Sequence, residues 1–334
     1  MPKSPLVSVV IPSYNGERYI AEAAGSILAQ TYTDLELVVV DDGSTDGTCA
    51  ILRALADHDS RLRLVEKSNE GLIATLNRGV AEARGRYIAR LDHDDISRPT
   101  RIAAQSAFLD TNPDFIGVGC LIENVDADGH VLARARIRHE TLVHAPAAFP
   151  PRQQWLYGPT PMIRADALRE VGGYRTQFLA AEDRDLCWRL GAIGRLHRLP
   201  LVLVEHRIHA GNMSRLKRRV QIFSALLADL SAICNHLGLD DSAIVARIDT
   251  AGDYPARVAD YAGLIGPRYP VETYRLYMLL RVGAWDLAGY GSRGQAFAVV
   301  MRHLAERAWD RDRLLLARRV LRFLRKSPAL DPHP

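Results

Sequence analysis

The first hundred residues switch four times between a short apolar run of strand length and a stretch whose apolar residues recur at helical spacing. Leu6-Val7-Ser8-Val9-Val10-Ile11 is β-branched and closed by Pro12, and from Glu17 onward Ile20, Ala23, Ala24, Ile27 and Leu28 keep a helical period. Leu35-Glu36-Leu37-Val38-Val39-Val40 is nearly all apolar, the pattern of a strand buried on both faces. Ile51, Leu52, Leu55 and Ala56 mark the helix after it. Leu62 to Val65 and Tyr87 to Leu91 read as the third and fourth strands, with a helix from Gly71 to Ala83 between them. Such an alternation predicts an α/β fold, a doubly wound sheet with right-handed crossovers.

Sheets of this kind bind ligands at the carboxyl ends of their strands. Topology therefore brings three polar strand ends together: Pro12 to Asn15, Asp41 to Ser44, and Asp92 to Asp95. The last belongs to Arg90-Leu91-Asp92-His93-Asp94-Asp95, three carboxylates in four positions directly after an apolar run. Like charges at that density repel, and a cation relieves the repulsion; hard carboxylate oxygens suit Mg²⁺ or Mn²⁺. Each end also has a plainer reading. The acidic run can be a solvated turn before the next helix, Tyr14 a turn aromatic, and Asp41-Asp42-Gly43 an ordinary strand-to-helix turn capped by Ser44 or Thr45. Taken together the three offer an aromatic face, a carboxylate and a metal clamp, which suits a nucleoside diphosphate.

Composition narrows the partners. A chain of 334 residues has room for one large domain and an appendage. A net charge of +4 is too small to imply nucleic acid. The four cysteines, Cys49, Cys120, Cys187 and Cys234, are far apart, which argues against a zinc site or a disulfide framework and fits a reducing compartment. No signal-peptide pattern precedes the first strand, and no run approaches the length of a membrane span, so a cytoplasmic protein is expected.

Several stretches in fixed order closely resemble glycosyltransferase family 2. They are Val7 to Gly16, Ser26 to Tyr32, Leu37 to Asp46, Asn69-Glu70-Gly71-Leu72 with Asn77-Arg78-Gly79, and Gly85 to Asp95. The resemblance covers roughly the first 215 residues, and the ordered set is more specific than any one motif. It implies the GT-A fold (Rossmann-like, as in nucleotide-diphospho-sugar transferases) and inverting chemistry on a nucleoside-diphosphate sugar. It also implies that Pro12, Tyr14 and Asp42 hold the base, with Asn15 on the same strand end, that Asp92 faces ribose and metal, and that Asp94 ligates Mn²⁺ or Mg²⁺. Asp95 reads instead as a partner for Arg101.

Further on, Phe115 to Cys120 is another apolar strand, and Val125-Asp126-Ala127-Asp128-Gly129-His130 looks like a hairpin turn. Asp126 and Asp128 could mimic a cation loop, but a solvated turn accounts for them. The proline-rich stretch 145 to 160 is predicted irregular and could line the acceptor side. Pro161 to Arg164 reads as a short strand, Ala165 to Val171 as a helix ended by Gly172-Gly173, and Leu201 to Val204 as the last strand. Leu186, Leu190 and Ile193 share a helical face that Gly194 closes, so Glu182 and Asp183 open that helix. Acids in a first turn complement the helix dipole; the family resemblance further implies that Asp183 is the catalytic base and Glu182 its support. Glu205 to Ser214 resembles the family's closing Tyr-Arg-x-His segment, with His206 in place of the tyrosine, so that Arg207 and His209 reach diphosphate or metal.

From Leu216 the strand signals vanish. Val220 to Leu237, Tyr274 to Leu287 and Ala296 to Lys326 read as helices, with Pro255, Pro267 and Pro270 breaking the series. Domains are therefore expected at 1–215 (transferase) and 216–334 (an all-helical appendage). Near the end Arg311, Arg318, Arg319, Arg322, Arg325 and Lys326 share one face, opposite Leu316, Val320, Leu321, Phe323 and Leu324. A basic amphipathic helix over 309–326 can lie on an anionic membrane surface, at the inner face, or pack on its own domain with a solvated basic side.

The expectation is a metal-dependent, hexosyl-type inverting glycosyltransferase that moves one sugar, from a UDP-sugar by preference, to a glycan or lipid-linked hydroxyl in cell-surface glycan synthesis. Lack of membrane spans and of a Gln-x-x-Arg-Trp element favours single addition over processive synthesis. Two alternatives remain at this point: a sugar-phosphate nucleotidyltransferase, and a non-catalytic nucleotide-sugar-binding protein acting through its helical tail.

Overall fold

A computed structural model describes residues 7–133, 140–141, 144–145, 152–153, 156, 158–212, 218–248, 254–266 and 271. The predicted helices over 274–287 and 296–326, and most of 145–160, lie outside the described residues.

The early elements follow the hydrophobic pattern. Strand β1 (Val7–Ser13) and strand β2 (Leu35–Asp41) are buried at every position, as expected of strands covered on both faces. Helix α1 (Ile20–Leu28) lies between them and buries Ile20, Ala23, Ala24 and Ile27, the stripe its period marks out. Helix α2 (Thr48–His58), strand β3 (Leu62–Glu66), helix α3 (Leu72–Glu82) and strand β4 (Tyr87–Arg90) complete the alternation. All pairings in this half are parallel, in the order β3-β2-β1-β4. The chain thus reverses direction across the sheet at β1, leaving a crevice at the carboxyl ends of β1 and β4.

Beyond β4 the sheet is mixed, where the alternation alone predicts a doubly wound one. Strand β5 (Ile96–Ser97), helix α4 (Arg101–Thr111), strand β6 (Phe115–Val125) and strand β7 (Val131–Ala133) follow in sequence. Short strands β8 (Glu140–Thr141), β9 (His144–Ala145) and β10 (Arg152–Gln153) lead to strand β11 (Met162–Arg164). Strand β11 slots between β4 and β6 and is antiparallel to both. It is too short to carry a hydrophobic period, so its direction was invisible in the sequence. Helices α5 (Ala165–Glu170) and α6 (Glu182–Ile193) precede strand β12 (Arg195–Arg207). Strand β12 extends well beyond the four-residue apolar run at 201–204, because register shifts let it follow β6 through polar residues. On α6, Leu186 and Leu190 are buried but Ile193 is 43% exposed, so the apolar stripe ends one turn earlier than its spacing predicts.

Contacts divide the chain into two compact units. The first joins 1–143, 154–176 and 182–216 and contains the ten-stranded sheet. The second joins 144–153, 177–181 and 217–334, with helices α7 (Arg218–His236), α8 (Ser242–Val245) and α9 (Tyr254–Ile265). Pro255 does not break that series; it occupies the first turn of α9, where a missing N–H costs nothing.

Candidate active site

The tips of β1 and β2 are stapled to each other. The backbone N–H groups of Asn15, Gly16 and Glu17 donate to Ser44 Oγ, Thr48 Oγ1 and Asp46 Oδ2, and Thr45 N–H donates back to Asn15 Oδ1. Asn15 is bent into the left-handed region at φ 49°, a conformation asparagine tolerates better than most residues. That bend leaves Tyr14 46% exposed, its ring open as a stacking face. Gly16 lies against His93: a Cβ there would come within 2.9 Å of the His93 ring, so the tip of β1 closes directly on the turn after β4.

Asp42, at the end of β2, is buried and anchors the loop before α3. Its Oδ1 accepts from Lys67 Nζ and Glu70 N–H, and its Oδ2 accepts from Gly71 N–H at 2.8 Å. Burial works against its charge, but Lys67 and the two amides outweigh it and hold the carboxyl below the usual range. Asp41 is spent on Ser44, through that residue's N–H and hydroxyl.

The acidic run splits into three different environments. Asp94 Oδ2 meets His209 Nε2 at 2.9 Å and Asn212 Nδ2 at 3.3 Å. Asp92 is bonded elsewhere, with Oδ1 accepting from Arg90 Nε at 2.8 Å. Asp95 is wholly buried and does not pair with Arg101 as its sequence position suggests. It accepts from Arg207 N–H and faces His206 Nδ1 at 3.1 Å. Burial pushes the Asp95 carboxyl up to about 6 despite His206, and Asp95 in turn raises the His206 pKa against the effect of burial. Arg101 is buried on Gln105 Oε1 and the Arg90 carbonyl.

Arg207 is 3% exposed, and each guanidinium nitrogen is engaged by protein. Nε donates to the Asp94 carbonyl, Nη1 to the Ala127 carbonyl, and Nη2 to Glu22 Oε2. The residue expected to reach a diphosphate is instead a strut behind Asp94. Tyr19, which the sequence did not single out, packs its ring on both His209 and Arg207. Asp126 is likewise spent on its own turn, accepting from the Asp128 and His130 amides, which leaves the solvated-turn reading of 125–130.

Three acids share the first turn of α6, and two of them are committed to arginines. Asp185 pairs with Arg175 and Arg189, and Glu182 Oε1 accepts from Arg90 Nη1 at 2.9 Å. Asp183 forms no ion pair with a described residue, although the charges of Arg90 and Arg184 act on it; its Oδ1 accepts the Arg184 backbone N–H. Burial first, and then the Glu182 charge, push its carboxyl up to about 7. Arg90 thus joins the Asp92 end of β4 to the start of α6. The glycines before α6 have a geometric cause: Gly172 and Gly173 both take positive φ, 76° and 68°. A Cβ on Gly173 would come within 2.7 Å of Asn77 Oδ1, and Asn77 clasps Tyr174 through both of its backbone groups.

As a test for a divalent cation, Asp94 and His209 supply a carboxylate and an imidazole whose near atoms are 2.9 Å apart. Two ligands at right angles with bonds of about 2.1 Å are separated by about 3 Å, so the pair fits one edge of an octahedral site. Among the described residues no third His, Cys, Asp or Glu joins them. That matches an ion held by few protein ligands and completed by substrate phosphates.

Residues 8–189 match the profile described as glycosyl transferase family 2. A putative glycosyltransferase, EpsE, of Bacillus subtilis is 35% identical over 265 residues, covering 77% of this chain and 93% of that protein. The chain belongs to glycosyl transferase family 2. This family 2 member is also 29% identical over 221 residues to the hyaluronan synthase of Pasteurella multocida, spanning 65% of the chain but 22% of the synthase. Among solved structures, TarS 1–349 of S. aureus in complex with UDP-GlcNAc aligns with TM-score 0.55 at 18% identity, covering 84% of this chain and 88% of that one. Mannosyltransferase PcManGT of Pyrobaculum calidifontis, in complex with GDP-Man and Mn²⁺, aligns with TM-score 0.53 at 19% identity, covering 96% and 88%. The transferase therefore has the GT-A fold that its strand order suggests. Among the described residues no helix is long and apolar enough to cross a membrane.

Proposed function

We propose that this glycosyltransferase inverts the anomeric centre of a nucleoside-diphosphate sugar, UDP-linked by preference, while adding one sugar to a hydroxyl of a glycan or lipid-linked acceptor in surface-glycan synthesis. The observation that carries the reading is the state of Asp183. It opens α6 outside any ion pair, its carboxyl raised by burial and the Glu182 charge against Arg90 and Arg184, while its neighbours Glu182 and Asp185 are paired with arginines. A carboxylate raised in this way accepts the acceptor hydroxyl's proton as the new bond forms, on the face opposite the leaving diphosphate. Glu182 keeps it oriented through the shared helical turn. In the proposal residues 1–215 carry this chemistry, and 216–334 are a separate region whose described residues are helical.

The exposed Tyr14 ring gives the base a flat surface, Pro12 is buried in β1 two residues before it, and Asn15 ties that strand end to the β2 loop. Asp42 accepts from Lys67, Glu70 and Gly71, with the Thr75 side chain also bonded to it, and in this reading the same carboxylate faces the ring N–H of the base. Asp94 and His209 would hold Mn²⁺ or Mg²⁺, which supplies charge neutralisation for the departing diphosphate; Arg207 backs Asp94, and Asp92 faces the ribose. A nucleotidyltransferase reading loses its ground, because the amides after β1 that would have to cradle phosphate are taken by Ser44, Thr48 and Asp46.

A thermal-shift panel of UDP, GDP and their sugars, each with Mn²⁺, Mg²⁺ or chelator, tests this directly. UDP or a UDP-sugar with a divalent ion is expected to raise Tm by several degrees at about a hundred times Kd. A panel in which no nucleoside diphosphate moves Tm contradicts the reading.

A further inference from the structure

We propose that Arg90 is the positioning residue of the base, clamping the start of α6 to the Asp92 end of β4 so that Asp183 stays at a fixed place beside the donor-binding strand tips. The inference rests on the proposed role of Asp183 and adds to it the part that holds that residue. Arg90 is 6% exposed, and its fork spans two carboxylates from distant segments, Asp92 Oδ1 through Nε and Glu182 Oε1 through Nη1. Burying such a pair gives little net stability, and well-packed apolar side chains generally do as well or better. A bidentate guanidinium does, however, fix the direction of what it binds.

The backbone that carries Arg90 is fixed as well. Its N–H donates to the Pro161 carbonyl, and its own carbonyl accepts from Arg101 Nη2 at 2.7 Å. Burial opposes its charge, yet Asp92 and Glu182 outweigh that and keep its pKa well above the usual value. Tyr174 lies against it, a buried phenol whose pKa burial pushes up to about 12, and Asn77 of α3 holds Tyr174 in place from both sides. The clamp therefore runs from α3 through Tyr174 and Arg90 to Glu182, and it ends one residue before Asp183. A lysine at 90 is a point charge that reaches one carboxylate at a time and cannot make this link.

Arg90→Lys tests the fork, and Arg90→Gln combined with Glu182→Gln removes both charges so that neither is left buried alone; Asp183→Asn is the reference. The readouts are the Kd for UDP with Mn²⁺ and the kcat for UDP release from the UDP-sugar that most stabilises the protein, with water as acceptor. Both variants are expected to fold, to keep Kd for UDP within about threefold, and to lose about a hundredfold in kcat, as misplacement of a reacting group does. Arg90→Lys with kcat within about threefold of the parent overturns the inference. Parallel loss of UDP affinity and kcat overturns it too, making Arg90 a donor ligand, and an unfolded double variant makes it a stability device. If Asp183→Asn keeps its turnover, the base assignment fails first; if that variant is dead and Arg90→Lys is not, the Arg90 inference alone falls.

Discussion

At the residue scale the site separates carboxylates by environment. Asp42 is held ionised by Lys67 and two amides, while Asp183 is raised to about 7 by burial and by Glu182. With Asp183 as base, turnover must rise with pH through a limb near 7, since only the ionised form accepts a proton. Its effect on stability has the opposite sign. The folded state keeps a proton that the unfolded chain releases near its ordinary pKa of 3.8, so this residue's contribution falls as pH rises from about 4 to about 7. Asp183→Asn is accordingly expected to gain stability relative to the parent at pH 8 but not at pH 4, as read by denaturant unfolding. Part of this scale was legible in the sequence as placement: Asp94 and His209, singled out together, lie 2.9 Å apart, and Asp183 falls in the first turn of α6 as its spacing predicts. Arg90 was not legible, because an arginine inside an apolar strand run announces no partner, and Glu182 lies 92 positions away. Asp95 was misassigned for the same reason: a nearby arginine in sequence lost to His206, 111 positions on.

At the element scale the parallel half of the sheet was readable from hydrophobic period alone, and β11 was not, since three residues carry no period. Packing between elements is similarly hidden. Gly79 of α3 sits on β1 so closely that a Cβ would fall 2.3 Å from Val10 Cγ1. The sequence shows only an Asn-Arg-Gly motif, and the structure gives its glycine a purpose: it lets α3 approach the sheet, which brings Asn77 to Tyr174. Gly79→Ala is expected to cost about 1–3 kcal/mol in denaturant unfolding, the usual range for overpacking a core. Val10→Ala in the same chain is expected to recover part of that loss, whereas additive losses would show the two do not press on each other.

At the scale of the whole molecule, the first compact unit alone contains every strand tip and acid of the proposed site. The basic amphipathic stretch 309–326 lies outside the described residues, and its proposed role is peripheral contact with an anionic leaflet. Co-sedimentation with phosphatidylglycerol vesicles is expected to pellet the full chain at low salt and to release it at high salt. Equal sedimentation by a chain ending at 308 would assign the contact elsewhere. The central claim, that one unpaired acid does the chemistry beside a donor site built by other residues, is tested most directly by Asp183→Asn. Calorimetric Kd for the UDP-sugar and the rate of UDP release are measured on the same preparation. The account predicts an unchanged Kd and turnover lowered by 10²- to 10⁴-fold, the range for a lost general base; turnover within a few-fold of the parent would contradict it.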